Sequence, residues 1–390
     1  MCLRNSLVTL MLSLALGLAS HAQAALAPPP GFMAPVRTGS NSDCPPAPTP
    51  FTQALDFPSK YEGSGTARDQ HNDAADKAYK QKSEQITNFE KGFSKQVERF
   101  LRGGHATQLD CAVAWLEEWS EADALLGKAE NHTGAAVRKW ALGSIASAYL
   151  RLKFSSSQPM LAHAATAAMA EAWLGRVADQ VVLEWSDAPD KNFNNHEYWA
   201  AWAVMASAVA LDRRDLFDWS VHNFRRAAAQ IDAEGYLPNE LARETRALQY
   251  HNYSLPPLTM IAAFAKANDL DLTHENGDAL KRLATRTLGG IDDPQFFQAK
   301  TGKKQERDGT EEASKFSWLE PYCRLYACDR TLERRLESYR PIRTYRLGGD
   351  ITALFAHTVI DAGGTRLNLP SSAVDSVTKP LLTFHAGTPL

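Results

Sequence analysis

Three clusters in this 390-residue chain bring together side chains that bind and transform anions. The densest is Asn194-Asn195-His196-Glu197-Tyr198-Trp199. A second runs from Leu237-Pro238-Asn239-Glu240 through Arg243, then Arg246, Tyr250, His251, Asn252 and Tyr253. A third joins Asn131-His132-Thr133-Gly134 to Arg138, Lys139 and Trp140. Each is a loop running into a helical pattern, where side chains and unpaired helix amides can meet a negative charge.

Each residue also has a purely structural use. Asn195 can be a helix cap and His196 a hydrogen-bonded core histidine. Arg243 and Arg246 can be a solvated face, and Tyr250 and Tyr253 core aromatics at helical spacing. Convergence favours function: Asn, His, Arg and Tyr recur at the entrances of consecutive long helices. Other chemistries fit less well. There is no Gly-rich phosphate loop, G-x-S-x-G elbow or HExxH motif. A helical glycosidase needs two opposed carboxylates. Glu240 and Asp218 are available, but no motif dedicates them to that role, and Glu240 reads as a buried network member.

The elements that must position these residues are helices. Ile86, Phe89, Phe93, Val97 and Phe100 recur at three- and four-residue steps before Gly103-Gly104. Further helical stretches are Cys111 to Leu126, Val137 to Lys153, Pro159 to Trp185, Glu197 to Leu211, Asp215 to Ile231, Glu244 to Ala267 and Asp278 to Leu288. Trp199 to Ala210 is apolar on more than one side, which implies burial between neighbours. With no run of alternating strands, the chain reads as all-α, a set of helical hairpins in an α/α toroid or bundle. Residues 25–58, rich in Pro, Ser, Thr and Gly, should be an extended surface arm. Lys60 to Asp76 looks like a mobile loop, Asp292 to Ser314 a long charged surface loop, and 358–390 a disordered tail.

The first residues read as an export signal. Arg4 precedes the apolar run Leu7 to Leu18, and Ala22-Gln23-Ala24 has the form of a signal-peptidase site, so residues 1–24 should be removed. No later stretch is apolar enough to span a membrane. Without Cys2, the cysteines are Cys44, Cys111, Cys323 and Cys328, with no zinc-ligand spacing. Four cysteines allow three pairings, and sequence alone does not choose among them. Cys323 and Cys328 suit a local clip, which would leave Cys44 to tie the arm to Cys111. A net charge of −3 neither requires nor excludes a polyanionic substrate. Export and the lack of a basic stripe argue against nucleic acid.

Several segments carry a resemblance to a known family. NNHxYWAAW (Asn194 to Trp202), LPNEL with RALxYHNYxLPPLxMIAAF (Arg246 to Phe264), SKYEGS (Ser59 to Ser64) and NHTG with RKWALGS (Asn131 to Ser144) resemble the periplasmic alginate lyases of polysaccharide lyase family five. RLKFSSS (Arg151 to Ser157), RRDLFDW (Arg213 to Trp219) and SWLEPYC (Ser317 to Cys323) extend the similarity toward Ala356. The resemblance implies an incomplete α/α toroid over residues 59–357, with a long cleft for mannuronate-rich alginate. It implies a catalytic group of Asn195, His196, Arg243 and Tyr250. Ser59, Lys60, His132 and Thr133 match substrate contacts, with Trp140, Trp199 and Tyr253 beside them. Trp140 and Trp199 would be flat walls for sugar rings, or core. No metal or organic cofactor is implied.

The expected reaction is β-elimination in the periplasm, leaving a 4,5-unsaturated uronate. Removing the C5 proton makes a carbanion beside a carboxylate, so donors must be held against that carboxylate as charge develops. Asn195, His196 and Arg243 can supply them. Tyr250 suits the acid and, if ionised beside Arg243, also the base, with His196 as the competing base. The alternative readings are a polysaccharide-binding or scaffold role among envelope alginate-export proteins, and an α/α-toroid glycoside hydrolase.

Overall fold

The computed structural model describes residues 24–36, 43–307, 310–355, 358–360 and 366–368. In chain order its helices are α1 (Asp73–Lys82), α2 (Glu84–Gly103), α3 (Ala106–Glu121), α4 (His132–Phe154), α5 (Ala164–Trp185), α6 (Asn195–Leu211) and α7 (Arg214–Gln230). There follow α8 (Pro238–Leu241), α9 (Ala247–Lys266), α10 (Ala279–Asp292), α11 (Gln295–Thr301), α12 (Leu319–Leu325), α13 (Arg330–Tyr339) and α14 (Ile351–Phe355). Short antiparallel strands β1 (Arg343–Thr344) and β2 (Gly349–Asp350) flank a 3-10 turn at Tyr345–Leu347.

The helices form two rows. α2, α4, α6 and α9 pack side by side in that order, with α12 against α9, while α3, α5, α7 and α10 lie behind them. Burial follows the rows except at α2, the end of the inner row. Almost every residue of α4, α6 and α9 is buried, whereas α2 and the outer α7 and α10 bury one face each. This alternation of inner and outer helices is an incomplete α/α toroid. The β1–β2 turn packs on α2 and α4, and Trp202 Nε1 ties it to α6 through the Arg346 carbonyl at 3.0 Å. Helix α9 contains Pro256 and Pro257, which cannot donate to the carbonyls four residues back.

The N-terminal arm is extended, as its composition suggests, but it is more than a surface strap. Leu26, Phe32, Phe51, Leu55 and Phe57 are buried in the core. Leu55 forms a parallel bridge with Ala129 and brings the arm against the start of α4. There Gly134 is required: a Cβ would lie 1.9 Å from the Leu55 carbonyl oxygen. Disulfides join Cys44 to Cys111 and Cys323 to Cys328.

Several boundaries differ from the expectations. The stretch Asp292 to Ser314 is not all loop. It holds α11, because Phe297 buries its ring against Tyr236 and His251. Lys60 to Asp76 is a series of turns only as far as Asn72, whose side chain caps α1 at Ala75 N. Within the segment expected to be a tail, β3 (Thr358–Ile360) pairs with β4 (Arg366–Asn368). The rest of that segment, and the expected signal up to residue 23, lie outside the described residues.

Candidate active site

Helices α4, α6 and α9 begin at one end of the toroid, so the positive ends of three inner helix dipoles face the same space. That space is a cleft of about 610 Å³. Ser59, Lys60, His132, Thr133, Trp140, Asn195, His196, Trp199, Arg243, Tyr250 and Tyr253 all line it. These were the site residues named from the sequence, and the fold brings every one of them together. Around them stand Arg68, Lys315, Arg343 and Arg346, against a single lining carboxylate, Asp76, among the described residues. Asp76 is itself paired with Lys80 at 2.6 Å. A narrow cleft of this sign concentrates polyanions although the whole chain is slightly acidic.

Helix α6 starts in a capping box that fixes two of the key side chains. Asn194 Oδ1 accepts from His196 N, and the Glu197 carboxylate accepts from Asn194 N at 2.7 Å. Asn195, the first helical residue, is held from behind by Glu240. Its backbone N–H and its Nδ2 donate to Glu240 at 2.7 and 3.0 Å. Glu240 is fully buried. Burial pushes its carboxyl up to about 7, against the opposing effects of Arg243 and the Asn195 bonds. It is therefore the network member expected from the sequence and does not line the cleft. Asp218 lies on the exposed side of outer helix α7. Glu240 and Asp218 therefore do not face each other across the cleft as the carboxylate pair of a glycosidase would.

His196 is clamped. Trp185 stacks on its ring at an interplanar angle of 3°, and His132 meets it edge-on with centroids 4.6 Å apart. Nζ of Lys139, a residue with no exposed surface, lies 3.0 Å from His196 Nδ1. Burial, followed by the charges of Lys139 and other nearby cations, holds the imidazole well below the usual histidine range, so it is neutral at neutral pH.

Tyr250 sits in the first turn of α9, with the Arg243 guanidinium 3.7 Å above its ring centroid. Burial pushes the phenol up to about 12, while Arg243 works to lower it. The resting side chain is therefore protonated. Arg243 comes from the turn after α8 and also binds the loop before α1, through Nε to Ala67 O at 2.7 Å and Nη2 to Arg68 O at 2.6 Å. Further along, Trp199 donates Nε1 to Tyr253 O at 3.1 Å, and the Tyr253 hydroxyl accepts from Arg346 at 3.3 Å. Trp199 is only 5 % exposed, so it is mainly core and offers the cleft little more than an edge. Trp140 is half-buried under Arg346, 4.6 Å from ring to guanidinium.

Besides the cleft cations Arg68, Lys315 and Arg343, four further residues were not named as site residues from the sequence. Tyr61, hydrogen-bonded through its hydroxyl to that of Tyr250, stands inside the SKYEGS segment. Lys139 stands beside Trp140 in the third cluster, and Trp185 ends a helix whose register alone would have brought it here. Arg346 lies in a turn near the end of the described chain, and no local pattern marks it. Among the described residues, no three His, Cys, Asp or Glu side chains form a group that could hold a metal ion.

The alginate lyase family model matches residues 56–297. The chain is 52% identical over 359 residues to an alginate lyase of Pseudomonas fluorescens, covering 90% of this chain and 96% of that protein. It is 52% identical over 355 residues to one of Azotobacter vinelandii, covering 90% and 95%. A Cobetia marina alginate lyase is 50% identical over 358 residues, covering 90% and 96%. Among solved structures, alginate lyase A1-III of Sphingomonas species A1 superposes with a TM-score of 0.68 at 22% identity, covering 84% and 90% of the two chains. A variant of alginate lyase A1-III complexed with tetrasaccharide gives a TM-score of 0.70 at 21% identity, covering 84% and 89%. With half its residues shared across nearly the full length of such relatives, this chain belongs to the alginate lyase family.

Proposed function

We propose that this protein cleaves mannuronate-rich alginate endolytically, by β-elimination, leaving 4-deoxy-α-L-erythro-hex-4-enuronosyl non-reducing ends. The observation that carries the reading is the seating of the Arg243 guanidinium 3.7 Å over the Tyr250 ring. It puts one cation beside both the group that must exchange protons and the place where carboxylate charge must be met. Asn195, with its amide held by Glu240, and His196, with its ring held by Lys139 and Trp185, supply the remaining donors. Their positions are fixed before substrate arrives, which is what makes such donors effective.

In this scheme Tyr250 takes the C5 proton as a phenolate favoured by Arg243, then returns it to the leaving O4. Both atoms lie on the same side of a mannuronate ring, so one phenol serves both steps. In guluronate they lie on opposite sides, and a second group would be required. Cationic side chains flank the centre, with Lys60 and Arg68 supplied by the loop and Arg343 and Arg346 by the β1–β2 turn, as suits a polyanion threading through. Among the described residues the lone lining carboxylate, Asp76, gives no pair for hydrolysis. The signal pattern and two disulfides suit an exported, periplasmic protein.

The test is the purified chain on polymannuronate and polyguluronate, following ultraviolet absorbance, new reducing ends and viscosity. The expectation is rising absorbance with an early fall in viscosity on polymannuronate. New reducing ends without absorbance would replace elimination by hydrolysis. Binding with no cleavage would leave the scaffold role.

A further inference from the structure

Lys139 is a lysine with no exposed surface, in an inner helix whose other buried residues are mostly small or apolar. A buried ammonium costs free energy unless its donors are used. Its neighbour Arg138 solves that problem conventionally, donating to the Glu184 carboxylate and to the carbonyls of Leu125 and Gly127. Lys139 does something different. Its Nζ has as hydrogen-bond partners the His196 carbonyl oxygen at 2.9 Å and His196 Nδ1 at 3.0 Å. A third direction is taken by the face of Trp185, whose ring centroid is 3.3 Å away. Every direction of the ammonium is spent on His196 or on the ring stacked against it.

We propose that Lys139 is a positioning residue, donating to His196 Nδ1 and so fixing the imidazole as the tautomer that carries its hydrogen on Nε2. The inference rests on the reading of His196 as a donor that neutralises the sugar carboxylate, and it supplies what that role lacks. A neutral imidazole has one donor nitrogen and one acceptor nitrogen, and the hydrogen bond made by one decides which the other is. With Nδ1 accepting from Lys139, Nε2 must present N–H, which can meet a carboxylate and cannot take a proton from carbon. Trp185 fixes the plane of the ring and Lys139 fixes its rotation within that plane. The same geometry therefore removes His196 from the role of base and leaves that role to Tyr250.

Burial holds the Lys139 amine well below the ordinary lysine range, while Glu197 and Glu184 favour its charge and Arg346 opposes it. A neutral amine at this position could accept from Nδ1–H instead, and Nε2 would then carry a lone pair. The two arrangements are opposite in consequence and can be read directly.

The experiment is nitrogen NMR of ¹⁵N-histidine-labelled full-length mature protein near neutral pH, with His196 assigned by its loss in His196→Gln. The expected spectrum has Nε2 protonated and Nδ1 unprotonated. Lys139→Met should abolish the preference and lower kcat at least about tenfold, the lower end of the scale found for residues that orient metal-ligating imidazoles, with KM little changed. Lys139→Gln, whose amide can still donate, should recover part of the loss and of the tautomer preference. A wild-type spectrum with Nδ1 protonated overturns the proposal, as does a folded Lys139→Met with unchanged kcat. If Lys139→Met fails to fold, the wild-type spectrum and Lys139→Gln decide. The tautomer is read without substrate. The expected spectrum in a chain that makes no unsaturated product would therefore refute the lyase reading, while the opposite spectrum in an active lyase would refute only the role of Lys139.

Discussion

The hydroxyl of Tyr250 lies 2.9 Å from that of Tyr61, 189 residues away in sequence, and the Arg243 guanidinium lies over both rings, at 3.7 and 5.3 Å. The phenol assigned to proton transfer is thus tied to the loop that borders the cleft. A second phenol is placed to share its proton.

Tyr250→Phe removes only the hydroxyl. Turnover of polymannuronate should fall by roughly a thousandfold, within the range general acid–base groups contribute, with oligomer affinity and thermal stability nearly unchanged. Single-turnover rates and direct binding measurements separate the two. Substantial turnover by the folded variant would restore His196 as the candidate base.

The pH dependence follows from a phenol pushed up to about 12. If the phenolate is the reactive form, its fraction grows as pH rises, so kcat/KM should climb through the neutral and mildly alkaline range at nearly tenfold per pH unit. Arg243 favours the phenolate, so Arg243→Ala should move this limb to higher pH. A profile governed by a histidine-like group near 6.5 would contradict the assignment. Ionic strength must be held constant, because screening alters polyanion binding.

Glu240 makes an opposite contribution, to stability. Burial raises its carboxyl from 4.5 to about 7. The stabilisation associated with the neutral form is complete below the unfolded-state value and is lost as pH rises through 7. Glu240→Gln abolishes that dependence. Between pH 4.5 and 8 the stability of the variant should therefore gain on the wild type by on the order of 3 kcal/mol, read from denaturant unfolding at each pH. Parallel curves would show that Glu240 does not titrate in this window.

The segment from Lys60 to Asp76 should act as a lid. Its carbonyls at Ala67 and Arg68 are held by Arg243, and that at Asp69 by Arg246 Nε at 2.8 Å. Closure and catalytic geometry would then be coupled through Arg243. Hydrogen exchange across the segment should slow when Tyr250→Phe protein is saturated with oligomannuronate; no change would remove the lid. Lys60→Ala should weaken binding or turnover without lowering the unfolding temperature.

The two disulfides should differ in worth. Cys44–Cys111 closes 67 residues and Cys323–Cys328 only 5. Loop-closure entropy gives about 4 kcal/mol for the first and about 2 kcal/mol for the second. Paired Cys→Ser variants compared by denaturant unfolding would check the order, and equal losses would contradict it.

The inner helices were legible because burial on all sides leaves an Ala-rich, apolar run such as Trp199 to Ala210. The clusters at their entrances were legible because helix starts need Asn and polar partners whatever else they do. Helix ends were less well marked: Asn131 and Asn194 prove to be the caps, so α4 and α6 begin earlier than the apolar periodicity alone indicated. Phe297 hid a helix inside a charged stretch, since one buried ring suffices to anchor two turns. Arg346 and Tyr61 were invisible for a different reason. They reach the cleft by tertiary placement of turns, and local spacing does not encode that.

The paired prolines of α9 have a use beyond interrupting a helix. In an unbroken helix the Tyr253 carbonyl would accept the N–H of residue 257, but Pro257 has none to offer. That carbonyl is instead taken by the indole of Trp199. What the backbone forgoes along its own axis becomes a cross-brace between α6 and α9, the two helices that carry His196 and Tyr250. Replacing Pro257 with Ala would restore a competing donor and loosen the brace, so the distance between the two halves of the reaction centre is set in part by a missing hydrogen.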